Sequence, residues 1–551
     1  MKKGTKKAAI DLYSGIGGWT LGLKLAGIPV LSSFEWWKDA NRTHNKNFNT
    51  DHKEVDIRTL KLSDLPGPGS VQYVVGSPPC TQFSLANRGG KGDIADGLID
   101  IYKFLEVVEY LQPKYWAMEN VPRVATILEQ QLQEGPLNRF LYLFSDIRIL
   151  KSSDFGVPQD RKRMIAGNLP FDLLESYKQR TPKLNLGQVL TSLNNDPVID
   201  PIYGINLKRE LLTDHCLEAN LTEEERRINQ ETKSHHPVYN MMSFPDRLDR
   251  PSRTVTAVCT RVSRESIIIR DRNDNLRRLT IRERGVLQSF PINYQYFGAS
   301  YNNKIKMIGN AVPPLLTFYI AQAMQEVKLD KLLLPHQVQD RLVLGTELAV
   351  SSTPDNQGAN YPWSRSFWMA IKGLRFGSGV RFELKNRMDK ATKGVEWQMN
   401  FHYGNSKNIK AKSLDLQTLQ RSLMILEELE NEALLYTLVN FREIVLSIKP
   451  ADLQRNWSNI DRSVQGPIEL VDEIADFAQQ MTTLLLEQES SKAQIIPFIE
   501  VELRNAKGGL DNKKMLERPI EIFVGILLGS LFNSLMQGQD LHLSLRYKIP
   551  A

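Results

Sequence analysis

The first third of the chain alternates short apolar runs with longer stretches of helical spacing. The apolar runs, bounded by Gly, Pro or polar residues, predict strands near residues 8–13, 28–34, 71–75, 115–118 and 141–150. Helical spacing between them predicts helices near 19–26 and 98–111. Strands that alternate with helices are typical of a mainly parallel sheet covered by helices on both faces. The pattern therefore predicts an open α/β domain.

The regular alternation is lost after residue 168, and a second domain is expected after a linker near 351–362 that is rich in Ser, Pro, Asn and Gly. Beyond that linker the pattern predicts a mixed α+β domain. Its expected elements are a hairpin of strands 380–385 and 395–401, helices 414–439 and 468–488, a strand 495–503, a helix near 519–536 and a last strand 541–547.

Composition narrows the protein's class without naming a function. The 551 residues carry a formal net charge of +7, which weakly favours an anionic partner such as nucleic acid. The three cysteines lie far apart, so neither a disulfide framework nor a paired-cysteine metal site is expected, and the cytoplasm is the expected compartment. The apolar residues 520–536 include Glu521 and Asn533, which indicates a buried core helix in preference to a membrane span.

A glycine turn follows the first strand, in Ser14-Gly15-Ile16-Gly17-Gly18, and lets a nucleotide-like ligand approach the backbone closely. About 20 residues later the second strand ends in Glu35 and Trp36. An acid in that position usually binds a ribose diol, and a neighbouring indole can stack on adenine. Asp56 is placed to accept a hydrogen bond from an adenine amino group. A plain tight turn and a solvated acid remain alternatives for these features.

Two further strand ends carry side chains that can take part in catalysis. Pro78-Pro79-Cys80 follows the third strand, where the prolines stiffen the backbone before a thiol. Glu119 ends the next strand, and a cysteine with a nearby carboxyl can attack and protonate a heteroaromatic ring. Gln159, Arg161 and Arg163 follow at spacing two, which predicts a row of donors on one strand face.

Taken together, these motifs resemble the DNA cytosine-5 methyltransferase family over about residues 8–324. The resemblance continues late in the chain with Arg278-Leu279-Thr280, Leu287-Gln288-Ser289-Phe290-Pro291 and Gly309-Asn310-Ala311-Val312-Pro313-Pro314. Two positions depart from the usual pattern, with Thr81 where glutamine is common and Tyr13 where phenylalanine is frequent. Neither departure removes a group that the reaction needs.

The resemblance implies a Rossmann-like methyltransferase domain that uses S-adenosyl-L-methionine and acts on double-stranded DNA. It implies that Cys80 adds to carbon 6 of a flipped-out cytosine, that Glu119 contacts ring nitrogen 3, and that Arg163 contacts the ring oxygen with Arg161 supporting it. The residues implied for cofactor binding are Asp11, Tyr13, Ser14, Gly15, Gly17, Gly18, Glu35, Trp36, Asp56, Ile57, Pro78 and Asn310.

The resemblance also implies the domain limits. Residues 1–167 and 300–326 are assigned to the catalytic domain, 168–299 to target recognition with His235 and His236 as candidate DNA contacts, 327–362 to a connector and 363–551 to the C-terminal domain. The glycine-rich residues 89–92 are a candidate loop for closing on the target base. A restriction-modification or phage-defence role is expected, with protein partners that the C-terminal domain could bind.

Three alternatives stay open. The C-terminal domain is either a module for partner docking or DNA grip, or a nuclease whose metal site uses Asp355, Glu383 and Lys385 in a fused restriction-modification enzyme. Methylation of tRNA is a second activity of the family, but the Cys-Phe-Thr signature of that branch is missing. A catalytically dead, DNA-binding regulator is the third, and retention of Cys80, Glu119 and Arg163 argues against it.

Overall fold

The computed structural model describes residues 6–83, 92–234, 242–354, 360–376, 379–389, 392, 394–405, 408–504 and 513–539. These residues form two compact units, 6–234 with 242–354, and 360–539. Several sequence-based expectations fall outside the described residues: most of the loop 89–92, the histidines His235 and His236, the acid Asp355 and the strand 541–547.

The N-terminal unit is built on a six-stranded sheet, as the sequence predicts, with strand order β2-β1-β3-β4-β6-β5. The first four strands in that order are parallel, whereas β6 runs antiparallel to both β4 and β5. The strands and the helices between them are β1 (Lys6–Leu12), α1 (Gly18–Leu25), β2 (Val30–Phe34), α2 (Lys38–Phe48), β3 (Val71–Gly76), α3 (Ile94–Leu111), β4 (Tyr115–Asn120), α4 (Arg123–Glu134), β5 (Asp146–Lys151) and β6 (Lys162–Gly167).

Alternate residues of the inner strands enter separate hydrophobic cores, one on each face of the sheet. On β3, Val74 packs with α3 and α4, while Tyr73 and Val75 pack with α1. This period of two is the geometry of a strand buried on both faces, and it explains why the strands are apolar almost throughout. The sheet and its two helical layers confirm the predicted α/β fold.

The remaining helices and short strands of this unit follow β6. They are α5 (Phe171–Ser176), α6 (Leu186–Leu193), β7 (Val198–Ile199), β8 (Asn206–Leu207), α7 (Glu223–Ser234), β9 (Ile268–Arg270), β10 (Leu276–Arg278), α8 (Ile281–Leu287), α9 (Tyr301–Asn310) and α10 (Pro314–Met324). Residues Phe290 and Tyr294 join the same core as Trp19 of α1, so the chain after α8 returns to the sheet.

Helix α1 packs unusually close to α10 because two glycines face it. A Cβ atom on Gly18 would lie 2.2 Å from the carbonyl oxygen of Val312, and one on Gly22 would lie 2.1 Å from Oγ1 of Thr317. Both distances are far below van der Waals contact, so any larger residue would push the helices apart. This close approach carries residues 310–313 against the glycine turn that precedes α1.

Residues 342–352 lie along the N-terminal unit and are attached to it by polar contacts. The buried ammonium of Lys304 contacts the Asp214 carboxylate at 2.8 Å and donates to the carbonyl of Val350. Asp214 Oδ1 also accepts from the backbone N–H of Ser352 at 2.9 Å. Part of the expected connector is therefore attached to the N-terminal unit by buried polar contacts.

The C-terminal unit has the α+β composition that the sequence predicts. Over the residues described between 360 and 539, four strands form an antiparallel sheet in the order β11-β12-β13-β14 and are followed by six α-helices. The elements are β11 (Trp368–Phe376), β12 (Val380–Met388), β13 (Val395–Asn405), β14 (Asn408–Lys412), α11 (Leu416–Glu428), α12 (Glu432–Ser447), α13 (Pro450–Trp457), α14 (Pro467–Glu487), α15 (Ser491–Glu502) and α16 (Pro519–Met536).

Two predictions for this unit are wrong in detail. The expected strand 495–503 is the second half of helix α15, whose buried residues Ile495, Phe498 and Ile499 recur at helical spacing. The expected single helix 414–439 is two helices, because Glu430 has a left-handed backbone (φ 49°) and Asn431 caps the start of α12.

Helix α16 is long and apolar enough to cross a membrane by length and composition, and 89% of it is buried in the protein. It lies on the apolar face of the second sheet, where a Cβ on Gly525 would come within 2.5 Å of the Phe382 ring. The side chain of Asn533 bonds the backbone N–H and C=O of Met399, at 2.7 and 2.9 Å, so this polar group is satisfied inside the core.

The anchoring of residues 342–352 predicts a large effect of Asp214→Asn. The amide keeps the left-handed backbone at this position, which Asn tolerates, but leaves the buried Lys304 ammonium without its counter-charge. We expect a loss of about 3–5 kcal/mol in free energy of unfolding, measured by urea titration. Lys46→Gln, which breaks the exposed pair with Glu347, is the control and should cost about 0–1 kcal/mol. Equal effects would contradict the anchoring.

Candidate active site

Cys80 lies just beyond the C-terminal end of β3, in a loop held from two sides. The indole Nε1 of Trp19 donates to Oγ of Ser77 at 3.0 Å. Asn120, at the end of β4, donates from Nδ2 to the carbonyl oxygen of Pro78 at 3.1 Å. Sequence reasoning gave Asn120 no role, although its place beside Glu119 at a strand end is a usable signal. These contacts fix the backbone that leads to the sulfur.

Glu119 and Arg163 meet at the same edge of the sheet, beside Cys80. Arg163 is the second residue of β6, and because β6 is antiparallel to β4, the start of β6 lies next to the end of β4. Nε of Arg163 is 2.9 Å from Oε1 of Glu119, and both side chains are largely buried. The sequence placed each residue separately, whereas the pairing of β4 with β6 brings them together.

Arg161 is buried and binds three backbone carbonyls from two distant parts of the chain. Its Nη1 donates to Val255 O at 3.0 Å, and its Nη2 donates to Gly309 O at 2.8 Å and Ala311 O at 3.3 Å. Burial lowers the pKa of this guanidinium, with the positive charge of Arg163 adding to the effect. Arg161 therefore joins the sheet edge to segments that are distant in sequence.

Gln159 is a second buried side chain that links distant segments of the chain. The sequence predicts only that it is one of a row of hydrogen-bond donors. Its Oε1 accepts from Val255 N at 2.8 Å, and its Nε2 donates to Leu287 O and to Oε1 of Gln288. The predicted single strand through residues 159, 161 and 163 is wrong, since β6 begins at Lys162. The first two side chains point into the body of the unit to satisfy buried carbonyls.

The surroundings of Cys80 favour its neutral thiol in the DNA-free protein. Burial raises the pKa of the Cys80 thiol, and the negative charge of Glu119 raises it further. Arg163 and Arg161 oppose this with smaller effects. A change in the charge of Glu119 would therefore change how readily Cys80 becomes a thiolate.

The glycine turn is closed by Glu35 from the end of β2. Its Oε2 accepts from the backbone N–H of Gly15 at 2.8 Å and its Oε1 accepts from that of Trp37 at 2.7 Å. Space is open beside the turn, because a Cβ on Gly15 would have no atom within 4 Å. The buried hydroxyl of Ser14 has no hydrogen-bond partner among the described residues.

Trp36 directly follows Glu35, and Asp56 follows a short segment that is paired with Glu35. Trp36 is 62% exposed, which is unusual for an indole. A backbone hydrogen bond from Val55 to Glu35, at 3.0 Å, brings the chain before Asp56 alongside the end of β2. Asp56 is exposed and starts a short 3-10 turn, in which Ile57 is buried.

The structure also describes the other residues predicted to bind the cofactor. Asn310 is exposed at the end of α9, next to the segment that contacts Gly18. Asp11 is fully buried beneath the glycine turn, where it accepts from Oγ1 of Thr20 at 2.8 Å, and burial raises its pKa to about 7. The hydroxyl of Tyr13 donates to Asp100, away from the turn. Gly17 lies in the glycine turn, and Pro78 lies in the loop that leads to Cys80.

Comparison with known proteins gives the family of the chain. The family model for C-5 cytosine-specific DNA methylases matches residues 8–326. The chain belongs to this family. It is a DNA (cytosine-5-)-methyltransferase, which uses S-adenosyl-L-methionine as methyl donor. The family match ends before the C-terminal unit begins.

Two Type II methyltransferases agree with the family match. Type II methyltransferase M1.HphI of Haemophilus parahaemolyticus is 30% identical over 336 residues, which cover 57% of this chain and 85% of the relative. Type II methyltransferase M.HgiDI of Herpetosiphon aurantiacus is 28% identical, over 57% of this chain and 93% of the relative. The solved structure of the S. pombe Dnmt2 methyltransferase covers 58% of this chain and 98% of that chain, at 19% identity and a TM-score of 0.41.

The residues at the glycine turn fit S-adenosyl-L-methionine. The open space at Gly15 admits a ligand against the backbone, and the buried Ser14 hydroxyl offers an unused hydrogen-bonding group. Glu35 presents an acceptor for ribose hydroxyls, because each carboxylate oxygen can accept more than the single bond it has here. Trp36 supplies an exposed aromatic face.

The nuclease alternative gains no support from the structure. Among the described residues, no group of three or more His, Cys, Asp and Glu side chains could hold a metal ion. The Glu383 carboxylate is engaged by Nε of Arg381 at 3.1 Å and by His402 at 2.7 Å. A carboxylate paired with two basic side chains is a poor metal ligand.

The electrostatics of Cys80 predict slow alkylation at neutral pH. Because its pKa is raised, the thiolate fraction below that pKa is smaller than for an ordinary cysteine. In DNA-free protein, the rate of iodoacetamide labelling of the Cys80 peptide should rise with pH to a midpoint above that of the same peptide in urea-unfolded protein. Mass spectrometry reads each cysteine separately.

Arg163→Gln tests the contribution of Arg163 to the pKa of the Cys80 thiol. Removing the positive charge should move the labelling midpoint of Cys80 still higher, since Arg163 lowers the pKa of the thiol. A midpoint in the wild-type protein at or below the unfolded reference would contradict the proposed environment of the sulfur.

Proposed function

We propose that this enzyme methylates carbon 5 of a cytosine that has been flipped out of duplex DNA, through a covalent adduct with Cys80. The convergence of Cys80, Glu119 and Arg163 at one sheet edge supports this most directly. A base inside a duplex cannot reach such an edge, so extrusion of the cytosine is part of the proposal. We assign catalysis to residues 1–167 and 300–326, and target recognition to 168–299.

The chemistry follows from the low reactivity of cytosine carbon 5. The Cys80 thiolate bonds to carbon 6, and the ring electrons move toward nitrogen 3, which gains a proton from Glu119. Arg163 stabilises the negative charge that develops on the ring oxygen. When bound, S-adenosyl-L-methionine supplies an electrophilic methyl group for carbon 5. A base then removes the carbon 5 hydrogen as the bond between Cys80 and carbon 6 breaks, and nitrogen 3 returns its proton to Glu119.

Glu119 also couples target binding to activation of the thiol. Its negative charge raises the pKa of Cys80 in the free protein. When the cytosine binds, Glu119 takes up a proton from solvent, donates it in a hydrogen bond to ring nitrogen 3, and accepts from the ring amino group. Its negative charge is then lost, and the Cys80 thiolate forms more readily. Cys80 is thus reactive only when a cytosine is in place, which limits side reactions of a free thiolate.

The cofactor side is assigned from the glycine turn. The backbone of residues 13–18 holds the methionine part with Asn310 nearby, Glu35 binds the ribose hydroxyls, and Trp36 with Asp56 and Ile57 holds the adenine. Pro78 lies between the bound cofactor and Cys80. Asp11 acts beneath the turn through Thr20, since its carboxyl is fully buried.

We further propose that the enzyme is the modification component of a restriction or phage-defence system. The similar proteins from Haemophilus and Herpetosiphon are Type II methyltransferases, and this chain covers 85% and 93% of them. Methylation of a specific site would protect host DNA from a partner nuclease. The C-terminal unit, which lies outside the family match, is the part available for protein partners.

Cys80→Ser should abolish transfer of a tritiated methyl group from S-adenosyl-L-methionine to unmethylated DNA. A serine hydroxyl at this site cannot supply the thiolate nucleophile. Cys216→Ser is the matched control and should retain activity, because Cys216 has no place in the site. Transfer that survives Cys80→Ser would show that another group is the nucleophile.

Glu119→Gln should reduce the rate of methyl transfer by about 10²–10⁴-fold, the usual contribution of a positioned acid. The amide preserves the size of the side chain but cannot pass a proton to nitrogen 3. Single-turnover kinetics at saturating DNA separate this step from binding. An unchanged rate would remove Glu119 from the proposed mechanism.

Trp36→Ala should weaken binding of S-adenosyl-L-methionine about 2- to 10-fold, in line with the energy of aromatic stacking. Trp36 is largely exposed, so stability should not change. Isothermal titration calorimetry measures the affinity, with Tyr142→Ala, another exposed aromatic, as control. Equal affinities of Trp36→Ala and wild type would place the adenine elsewhere.

A further inference from the structure

Two positions at which this chain departs from the usual family pattern lie at opposite ends of one hydrogen-bonded network. Tyr13 stands at the start of the glycine turn, where phenylalanine is frequent. Gln82 stands two residues after Cys80, whereas the common glutamine directly follows the cysteine. Between these two ends, the network passes through the side chains of Asp100, Arg58 and Asp96. None of these contacts takes part in the bond changes at the cytosine ring.

At the cofactor end, the hydroxyl of Tyr13 shares a hydrogen bond between the carbonyl oxygen of Asp100 at 3.2 Å and its Oδ1 at 3.3 Å. Phenylalanine could make neither contact. The backbone of Tyr13 is left-handed, with φ 56°, which is a strained conformation for a bulky residue. Burial and the Asp100 carboxylate raise the pKa of Tyr13, so its hydroxyl remains a donor. Asp100 thus holds the first residue of the turn in place.

Arg58 is the centre of the network. Its backbone N–H donates to Oδ1 of Asp56, a residue predicted to lie at the adenine, at 3.0 Å. Its guanidinium binds the Asp100 carboxylate through Nε at 3.0 Å and Nη2 at 2.7 Å, in the paired geometry that suits a carboxylate. Nη1 donates to Oδ1 of Asp96 at 2.8 Å. Asp96 and Asp100 are four residues apart on α3, so one guanidinium reaches both.

At the other end, Gln82 fixes the turn that carries Cys80. Its Nε2 donates to Oδ2 of Asp96 at 3.0 Å, and its Oε1 accepts from the backbone N–H of Asp93 at 3.0 Å. The backbone N–H of Phe83 donates to the carbonyl oxygen of Cys80 at 3.0 Å and closes the turn. The Phe83 ring is fully buried in the core that contains α3. The start of α3 thus holds the segment that follows the sulfur.

Helix α3 is therefore bonded both to the glycine turn and to the segment after Cys80. Methyl transfer needs the methyl donor and the thiol at a fixed separation, with the cytosine ring between them. A misplacement of about 1 Å in such an arrangement can lower the rate by a factor of about 10². Charge-assisted hydrogen bonds are strong and directional, so this network is suited to set that separation.

We propose that Arg58, Asp96 and Gln82 are positioning residues that align the bound methyl donor with the cytosine held by Cys80, an inference that rests on the proposed function. When the network is broken, Cys80 still adds to carbon 6, but the methyl group is out of line with carbon 5. Carbon 5 then takes a proton from water, and a base removes the hydrogen that was bound there before. As Cys80 leaves, nitrogen 3 returns its proton, and the product is unmethylated cytosine with a new hydrogen at carbon 5.

Asp96→Ala tests this, because it breaks the bonds to both Arg58 and Gln82 and leaves Arg58 paired with Asp100. With tritium at cytosine carbon 5, the tritium released to water is compared with the methyl groups gained by the DNA. Wild type should release one tritium for each methyl group, and Asp96→Ala should release more than one. Its methyl-transfer rate should fall about 10- to 100-fold at saturating DNA and cofactor.

Two measurements separate alignment from the other steps. Tritium release without cofactor should equal that of wild type, because the groups that act on the ring are untouched. The affinity of DNA-free Asp96→Ala for S-adenosyl-L-methionine, measured by calorimetry, should stay close to that of wild type. A loss in either measurement, with one tritium still released for each methyl group, would overturn the alignment role.

Gln82→Ala is a second variant, which breaks only the last bonds of the network and removes no charge. It should also release more than one tritium for each methyl group. The double variant with Asp96→Ala should match the stronger single variant, because both changes break the same link. A ratio of one in either single variant would overturn the proposal, whatever its rate.

Glu109→Ala is the matched control. Glu109 lies on the same helix, is about as exposed as Asp96, and also pairs with an arginine and one further side chain, Arg139 and Tyr142. This variant should keep a ratio of one, and a ratio above one would overturn the proposal, since any weakening of α3 would then have the same effect. Failure of the proposed function would instead appear in wild type, as methyl transfer without release of tritium.

Discussion

The contact between Arg163 and Glu119 is the constraint on which the rest of the proposed active site depends. It joins the end of one strand to the start of an antiparallel neighbour at 2.9 Å, beside the sulfur of Cys80. In a wholly parallel sheet the start of β6 would lie at the far edge, and its arginine could not reach the carboxyl end of β4. The single reversal of β6 thus assembles an acid, a cation and a thiol where open α/β sheets place their ligands.

The surrounding structure serves to hold that edge rigid. Arg161 and Gln159 bind the backbone at Val255, so the edge is joined to a segment more than 90 positions later in the chain. Gly18 lets α1 approach Val312, so the glycine turn is joined to the segment next to Gly309 and Ala311, which Arg161 binds. Residues more than 90 positions apart are therefore held in one piece, as a reaction that needs three groups at fixed angles requires.

Local sequence was sufficient for the strand ends and the glycine turn, because an apolar run ended by Gly or Pro has few other structures. Local sequence could not predict the partners of Arg161. They are the backbone carbonyls of residues 255, 309 and 311, and every residue type has such a carbonyl. The same limit applies to Asn120, whose bond to Pro78 depends on the spacing of two neighbouring strands. Helix α15 was mistaken for a strand because its Ile, Phe and Val residues favour strands, while burial of Ile495, Phe498 and Ile499 against other helices decided the outcome.

The account rests on a bond between Cys80 and carbon 6 that makes carbon 5 reactive, and release of the carbon 5 hydrogen tests this most directly. DNA with tritium at cytosine carbon 5 is incubated with enzyme and S-adenosyl-L-methionine, and tritium in water is counted with methyl groups in DNA. The account predicts one tritium released for each methyl group transferred, and none of either with Cys80→Ser. Methyl transfer that leaves the carbon 5 tritium in place would contradict it.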